Sequence, residues 1–298
     1  MKRVKAFLEI SRWRIQLVSL ATILLGPLYS AGSISDLFDL NVLFFALLFF
    51  VSISFACNIN CYYDKEVDSL KKTILSDSVD IVGKSNLRIM MAIENIFVFL
   101  LVLYFLSIGN PYVAVLGALG CFLSYAYSAP PFRLKSKGIL GPVPVNIGVY
   151  VLPILAGHMV LDTNISALFL FFVFGYALLN LGINLVNVAE DYQVDKKCGI
   201  FTIAHRLGIK STVILASLSS FAGSLVVAIS LYFRVTNTYS LIAFVLLVVA
   251  AVSTFLDISS TLFSDDIGSQ VQYKGKKLPL YFIATRYPMV LLLLFALI

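Results

Sequence analysis

The sequence predicts an all-α membrane protein, a polytopic bundle of nine transmembrane helices. One observation is compositional: 60% of the 298 residues are hydrophobic and only 13% are charged. The mean hydropathy is +0.95, well above what a soluble domain carries. The second is a recurrence of apolar runs near the ~20 residues that a helix needs to cross about 30 Å of hydrocarbon. These runs are continuous and lack the alternation of barrel strands, so helices are the spanning element.

Charge and Gly/Pro punctuation place the spans near residues 14–32, 41–61, 88–108, 111–128, 139–160, 166–188, 210–233, 239–256 and 279–298. Asn110-Pro111 marks the turn between the third and fourth, and Thr236-Asn237 the turn between the seventh and eighth. The chain 1–298 is read as one transmembrane domain. Its basic start, with Lys2, Arg3, Lys5, Arg12 and Arg14, resembles a signal peptide. The charge-free run from Ile15 to Ile34 is of full spanning length, however, and many similar runs follow.

Every Lys and Arg except Arg234 falls in the N-terminal segment or beside a connection on the same side of the nine spans. That side is expected to be cytoplasmic, in a multi-pass protein of the cell membrane. The net charge of +6 therefore reflects topology, together with attraction to anionic membrane lipids or an anionic substrate, not nucleic-acid binding. Cys57, Cys61, Cys121 and Cys198 form no CxxC pair, and His158 and His205 are isolated. Neither a zinc centre nor a disulfide framework is expected.

Two apolar runs end abruptly in acid. Asn60, Asp64 and Asp68 recur at four-residue intervals, as do Asn187, Asp191 and Asp195. On a helix, each set lines one face and presents oxygens in a row. Both rows fall at cytoplasmic ends, of spans two and six, which suggests two four-helix repeats plus one appended helix. One such row reads most simply as a solvated helix end; two at matched depth point to a shared site.

Four carboxylates brought together in a partly dry cavity repel one another, so something cationic must lie between them. Mg2+ suits this set: it takes oxygen ligands and is commonly held by one or two carboxylates plus substrate phosphates. Basic residues alone are the less economical counter-charge. Glu66 and Glu190 lie off the aligned faces and are read as solvated or supporting.

A third element leaves span four on the same side, as Tyr125-Ala-Tyr127-Ser-Ala-Pro130-Pro131-Phe-Arg133-Leu-Lys135-Ser-Lys137. The paired prolines stop the helix and leave Tyr127, Arg133 and Lys135 near the interface. Those cations could clamp phosphate oxygens, or could simply set topology. Arg12 and Arg14, at the start of span one, are placed either to enter the cavity mouth or to snorkel. Glu94 and Arg286 sit several residues inside apolar spans, where charges usually face a cavity or a partner.

Together the two rows, the nine spans and the Tyr-Ser-x-Pro-Pro-x-Arg-x-Lys loop resemble the UbiA superfamily of intramembrane prenyltransferases over nearly the whole chain. The family's first motif, Asn-Asp-x-x-Asp-x-x-x-Asp, reads here Asn60-Cys61-Tyr62-Tyr63-Asp64-Lys65-Glu66-Val67-Asp68. The second, Asp-x-x-x-Asp, matches Asp191 and Asp195. The resemblance implies Mg2+ on Asp64, Asp68, Asp191 and Asp195, acting on an isoprenyl diphosphate. It implies substrate contacts from Asn60, Tyr127, Arg133 and Lys135; Asn187 and Arg12 join these as substrate-binding candidates by position.

Two departures stand out. Cys61 replaces the common second-position Asp, and Lys71-Lys72-Thr73 stands where Pro-x-Arg-Pro often follows the first motif. Asn-x-Tyr-Tyr-Asp is similar to naphthoate-type members, whereas Tyr-Ser-Ala-Pro-Pro-x-x-Leu-Lys is similar to chlorophyll synthases, so the acceptor stays open between aromatic and lipid classes. The expected reaction is an ionisation-led transfer of the isoprenyl group, with release of pyrophosphate. The alternative is a transporter of an anionic or cation-coupled solute, which expects ionisable residues near the bilayer midplane.

Overall fold

The computed structural model describes residues 2–298, which are almost wholly helical. Helix α1 (Lys2–Ile10) precedes the first apolar run, which forms α2 (Trp13–Ser30). The second run forms α3 (Leu40–Ser69), capped by the Asp39 side chain accepting from the Asn41 N–H. Short α4 (Thr73–Val82) leads into α5 (Lys84–Ser107) and α6 (Pro111–Ser128). At their turn Asn110 accepts from the Val113 N–H and Pro111 starts the helix, as the sequence predicts.

The fifth run is built from α7 (Pro142–Val145), a π-helical stretch over Asn146–Val151 and α8 (Leu152–Leu161). The widened turn lies just before Pro153, which has no N–H to continue the ladder. Helix α9 (Ala167–Glu190) carries the sixth run, followed by short α10 (Tyr192–Lys197) and α11 (Ile203–Leu207). The chain then forms α12 (Ile209–Tyr232), α13 (Thr238–Ser259), short α14 (Ile267–Gly275) and α15 (Leu278–Ala296).

Eight segments among the described residues are long and apolar enough to cross a membrane. They match the second to ninth predicted spans. The first predicted span, α2, is as long as α6 at 18 residues, but Arg14 and Gln16 in its first turns lower its apolarity. The largest boundary difference is at α3, which continues past residue 61 to Ser69. The first acidic row therefore extends a continuous spanning helix.

Two apolar cores fill the bundle. One joins Ile23 of α2 to Phe45 and Phe49 of α3, Phe105 of α5, Val113 of α6 and Leu152 of α8. The other joins Leu25 of α2 and Ile154 of α8 to Phe172, Leu231, Leu247 and Met289 of α9, α12, α13 and α15. In lipid such packing stabilises through close contact, since no water is expelled from between helices. Helices α2 and α8, the first of each predicted group of four, meet between the cores. Gly26 permits that approach, because a Cβ there would lie 2.3 Å from the Ile154 carbonyl oxygen.

The two ends of the bundle differ. At one, Asn110 Nδ2 donates to the Met159 carbonyl at 2.9 Å, Asn237 Nδ2 donates to the Phe295 carbonyl at 2.7 Å, and Arg234 lies 4.2 Å over the Tyr29 ring. At the other, α1 packs on α4 through Ala6, Ile10, Val79 and Val82. There the Gly138 N–H also donates to the Phe201 carbonyl at 2.9 Å, tying the loop after α6 to the segment after α10. The acidic rows open onto this second, basic end.

Candidate active site

The first row is ordered by its own helix. Asn60 Nδ2 donates to Asp64 Oδ2 at 2.6 Å, one turn along α3. Asp64 and Asp68 are each only 5% exposed, so their charges are largely withdrawn from water. Arg12 reaches across from the junction of α1 and α2, with Nη2 donating to Asn60 Oδ1 at 2.7 Å. From the loop after α6, Lys135 pairs with Asp64 and Arg133 Nη2 lies 3.8 Å from the same carboxylate.

Arg12 and Arg133 are the non-glycine residues in the left-handed backbone region among the described residues, at φ 49° and 40°. Strain of this kind persists where the surroundings hold it, and it gathers at functional sites. Here both strained residues aim guanidinium groups at one acidic row.

The second row crosses a helix end without losing its alignment. Asp191 caps α9, yet its N–H donates to the Asn187 carbonyl at 3.0 Å and the Asp195 N–H donates to the Asp191 carbonyl at 2.9 Å. The four-residue ladder thus continues into α10, and Asn187, Asp191 and Asp195 stay in register. Lys71 and Lys72 contact this row from the connection between α3 and α4. Lys71 lies 2.7 Å from Asp191 and 2.8 Å from Glu190, and Lys72 lies 3.3 Å from Asp191.

Those lysines join the rows, since they directly follow the helix carrying Asp64 and Asp68. Lys135, paired with Asp64, is also within electrostatic reach of Asp195. Half-buried Tyr127 lies within reach of Asp64, Asp191, Asp195 and Arg12. The expected convergence is therefore present. Glu190, read from the sequence as solvated or supporting, is half-buried and bound to Lys71. Lysine and arginine side chains lie among these carboxylates.

Electrostatics distinguish the two aspartates of the second row. Burial opposes ionisation of Asp191, but Lys72 and Lys71 outweigh it and hold its carboxyl below the ordinary range. Burial and then the neighbouring Asp191 push Asp195 up to about 7, against the pull of Lys135 and Lys72. Asp195 is thus poised to lose a proton when a further cation arrives.

A hard divalent cation fits this donor set. Asp68 Oδ2 is buried without a hydrogen-bond partner, and the available ligands are carboxylate and amide oxygens. Among the described residues, no three His, Cys, Asp or Glu side chains form a group that could hold an ion. Incomplete enclosure of this kind is how Mg2+ is usually held, with waters and phosphate oxygens completing its shell.

The two intramembrane charges lie apart from the rows. Glu94 accepts from Ser54 Oγ at 2.7 Å and from Asn58 Nδ2 at 2.7 and 2.9 Å. Asn58 is two residues from Asn60 and so faces away from the row. Arg286 is buried deeper, with Nη2 donating to Asn180 Oδ1 at 2.7 Å.

The family model described as the UbiA prenyltransferase family matches residues 19–262. The digeranylgeranylglyceryl phosphate synthase of Korarchaeum cryptofilum is 27% identical over 241 residues, 80% of this chain and 80% of its own. The lycopene elongase/hydratase of Haloferax volcanii is 26% identical over 204 residues, 68% of this chain and 65% of its own. A solved structure of a UbiA homologue from Archaeoglobus fulgidus, bound to GPP and Mg2+, superposes with a TM-score of 0.71. At 16% identity, covering 96% of this chain and 99% of that one, this likeness speaks to the fold. With the family match spanning most of a helical bundle that brings both aspartate rows to one end, the chain belongs to the UbiA prenyltransferase family.

Proposed function

We propose that this protein transfers an isoprenyl group from an isoprenyl diphosphate to an aromatic or lipid acceptor within the membrane, in a Mg2+-dependent reaction that releases pyrophosphate. The observation that carries this reading is the meeting of the rows across Lys71, Lys72 and Lys135. Asp64, Asp68, Asp191 and Asp195 would hold the metal, and the solved UbiA homologue bound to GPP and Mg2+ supports that chemistry. When bound, Mg2+ supplies charge neutralisation for the leaving pyrophosphate.

The chain's own residues do the remaining work. Lys135, Arg133, Lys71 and Lys72 exchange carboxylate partners for phosphate oxygens, so no uncompensated charge is left buried. Asn60 and Arg12 fix the orientation of Asp64. Tyr127, at the meeting of the rows, bounds the space where the allylic carbon becomes cation-like as its C–O bond breaks. Aromatic faces stabilise such a cation, and the apolar bundle excludes the water that would quench it. The acceptor nucleophile forms the new bond and releases its proton.

Positive charge on the connecting segments supports a cytoplasmic orientation of this end in the cell membrane. The transporter alternative loses support, because the carboxylates gather at one end of the spans. The test is to supply nanodisc-held protein with geranylgeranyl diphosphate, Mg2+ and an acceptor panel. Acceptor-dependent pyrophosphate release that stops on chelation is expected. Absence of both donor binding and release across the panel would overturn the reading.

A further inference from the structure

Glu94 lies within the spanning helix α5 and takes no part in the chemistry described above. Its hydrogen-bond partners are neutral groups of α3: Ser54 Oγ, and Asn58 Nδ2 reaching both carboxylate oxygens. No lysine or arginine forms an ion pair with it among the described residues. A carboxylate kept inside a membrane bundle without a counter-charge is costly, and such residues usually serve a function.

What the charge supplies here is direction. An ionised carboxylate only accepts, so the Asn58 amide must turn Nδ2 toward Glu94 and Oδ1 the other way. Asn58 is fully buried, and its Oδ1 accepts from Ser11 Oγ at 3.2 Å. A glutamine at position 94 could donate as well as accept, which would leave the Asn58 amide free to take either orientation.

Ser11 belongs to the junction of α1 and α2, and each residue of that junction is fastened to α3. Cys61 Sγ donates to the Ile10 carbonyl at 3.6 Å, Ser11 donates to Asn58, and Arg12 donates to Asn60. Asn58 and Asn60 point to opposite sides of α3, so the junction straddles that helix. Arg12 stands in the left-handed region at φ 49°, a conformation that persists only where its surroundings hold it. Asn60 then passes the constraint on: its Oδ1 accepts from Arg12 while its Nδ2 donates to Asp64.

We propose that Glu94 is a positioning residue for the transfer site. Through Asn58 and Ser11 it holds the junction of α1 and α2 in the conformation from which Arg12 orients Asn60 and Asp64. The catalytic meaning of this inference rests on the transfer reaction above, whereas the relay itself is open to a test that needs no turnover.

Trp13, the one tryptophan of the chain, directly follows Arg12 and reports on the junction. Its fluorescence and acrylamide quenching are followed in the full chain held in nanodiscs, beside affinity for geranylgeranyl diphosphate with Mg2+. Glu94→Leu breaks the relay inside the membrane with a residue suited to a spanning helix. Ser11→Ala breaks it at the junction and leaves the pairing of Glu94 with Asn58 in place. Each should shift Trp13 emission, raise its quenching and weaken donor binding by about fivefold, the effect of one lost hydrogen bond. The double variant should be no weaker than either single one, and Ser11→Thr, which keeps the hydroxyl, should behave as wild type. Unchanged Trp13 emission and quenching in Ser11→Ala, or losses that multiply in the double variant, would overturn the proposal. So would a lower Tm in Glu94→Leu with Trp13 and donor affinity unchanged, the pattern of a clamp that only joins α3 to α5. Should Glu94→Leu fail to fold, Glu94→Gln decides: it keeps the packing but not the acceptor-only charge, and an unchanged Trp13 signal there would equally refute the relay. Failure of the wild-type protein to bind donor would count against the transfer reaction, whereas the Trp13 comparison judges the relay alone.

Discussion

Asp195 and Asp191 are one turn apart, yet their surroundings treat them oppositely. Asp191 is held ionised by Lys72 and Lys71, while Asp195 is pushed up to about 7 by burial and by Asp191. In the proposed reaction Asp195 helps to hold Mg2+, and only an ionised carboxylate ligates a metal, so below that pH a proton would compete with the ion. Apparent Mg2+ affinity should therefore strengthen as pH rises through about 7 and level off above it. The unfolded chain loses this proton first, so stability without metal should fall over the same rise in pH, and Mg2+ should restore it. Calorimetric titration of wild type and Asp195→Asn checks this, with weaker binding and a flattened slope expected in the variant. Equal wild-type affinity at about pH 5.5 and about pH 8 would contradict the assignment.

At the scale of elements, the short helices outside the membrane position the site. Helix α14 packs against the end of α9 so closely that a Cβ on Gly275 would lie 2.0 Å from Glu190 Oε2. Gly275→Ala must displace that carboxylate, which then no longer holds Lys71 beside Asp191. Overpacking of this kind typically costs about 1–3 kcal/mol, so a fall of a few degrees in Tm is expected, with donor affinity several-fold weaker. Unchanged Tm and affinity in thermal-shift and binding measurements would show that Glu190 has room to move.

These contacts also mark where the sequence stops being legible. The spans could be read because apolar runs of membrane length follow from local composition. The two aspartate rows could be read because their four-residue spacing is that of a helix face. The partnership of Lys71 and Lys72 with Asp191 joins positions 120 and 119 residues apart, and no local spacing encodes it. The only hint was that two lysines follow the first row directly. Charge count could not assign Arg12 its place either, because its approach to Asn60 depends on a left-handed backbone between α1 and α2. The membrane-helix fold and the family are borne out.

At the scale of the whole molecule, the two cores form two halves, and each half delivers one acidic row to the same end. The proposed site lies where the halves meet, bridged by lysines that the proposed metal and diphosphate would replace. Residues sharing one ion cluster are energetically coupled, whereas residues serving separate sites contribute independently. The most direct measurement is a double-mutant cycle on Mg2+-dependent geranylgeranyl diphosphate affinity, using Asp64→Asn, Asp191→Asn and the double variant. Each single change should weaken binding by about 100-fold, and the double variant should be little worse than either one, a coupling of about 2 kcal/mol or more. Losses that simply add would mean that the two rows do not share a site.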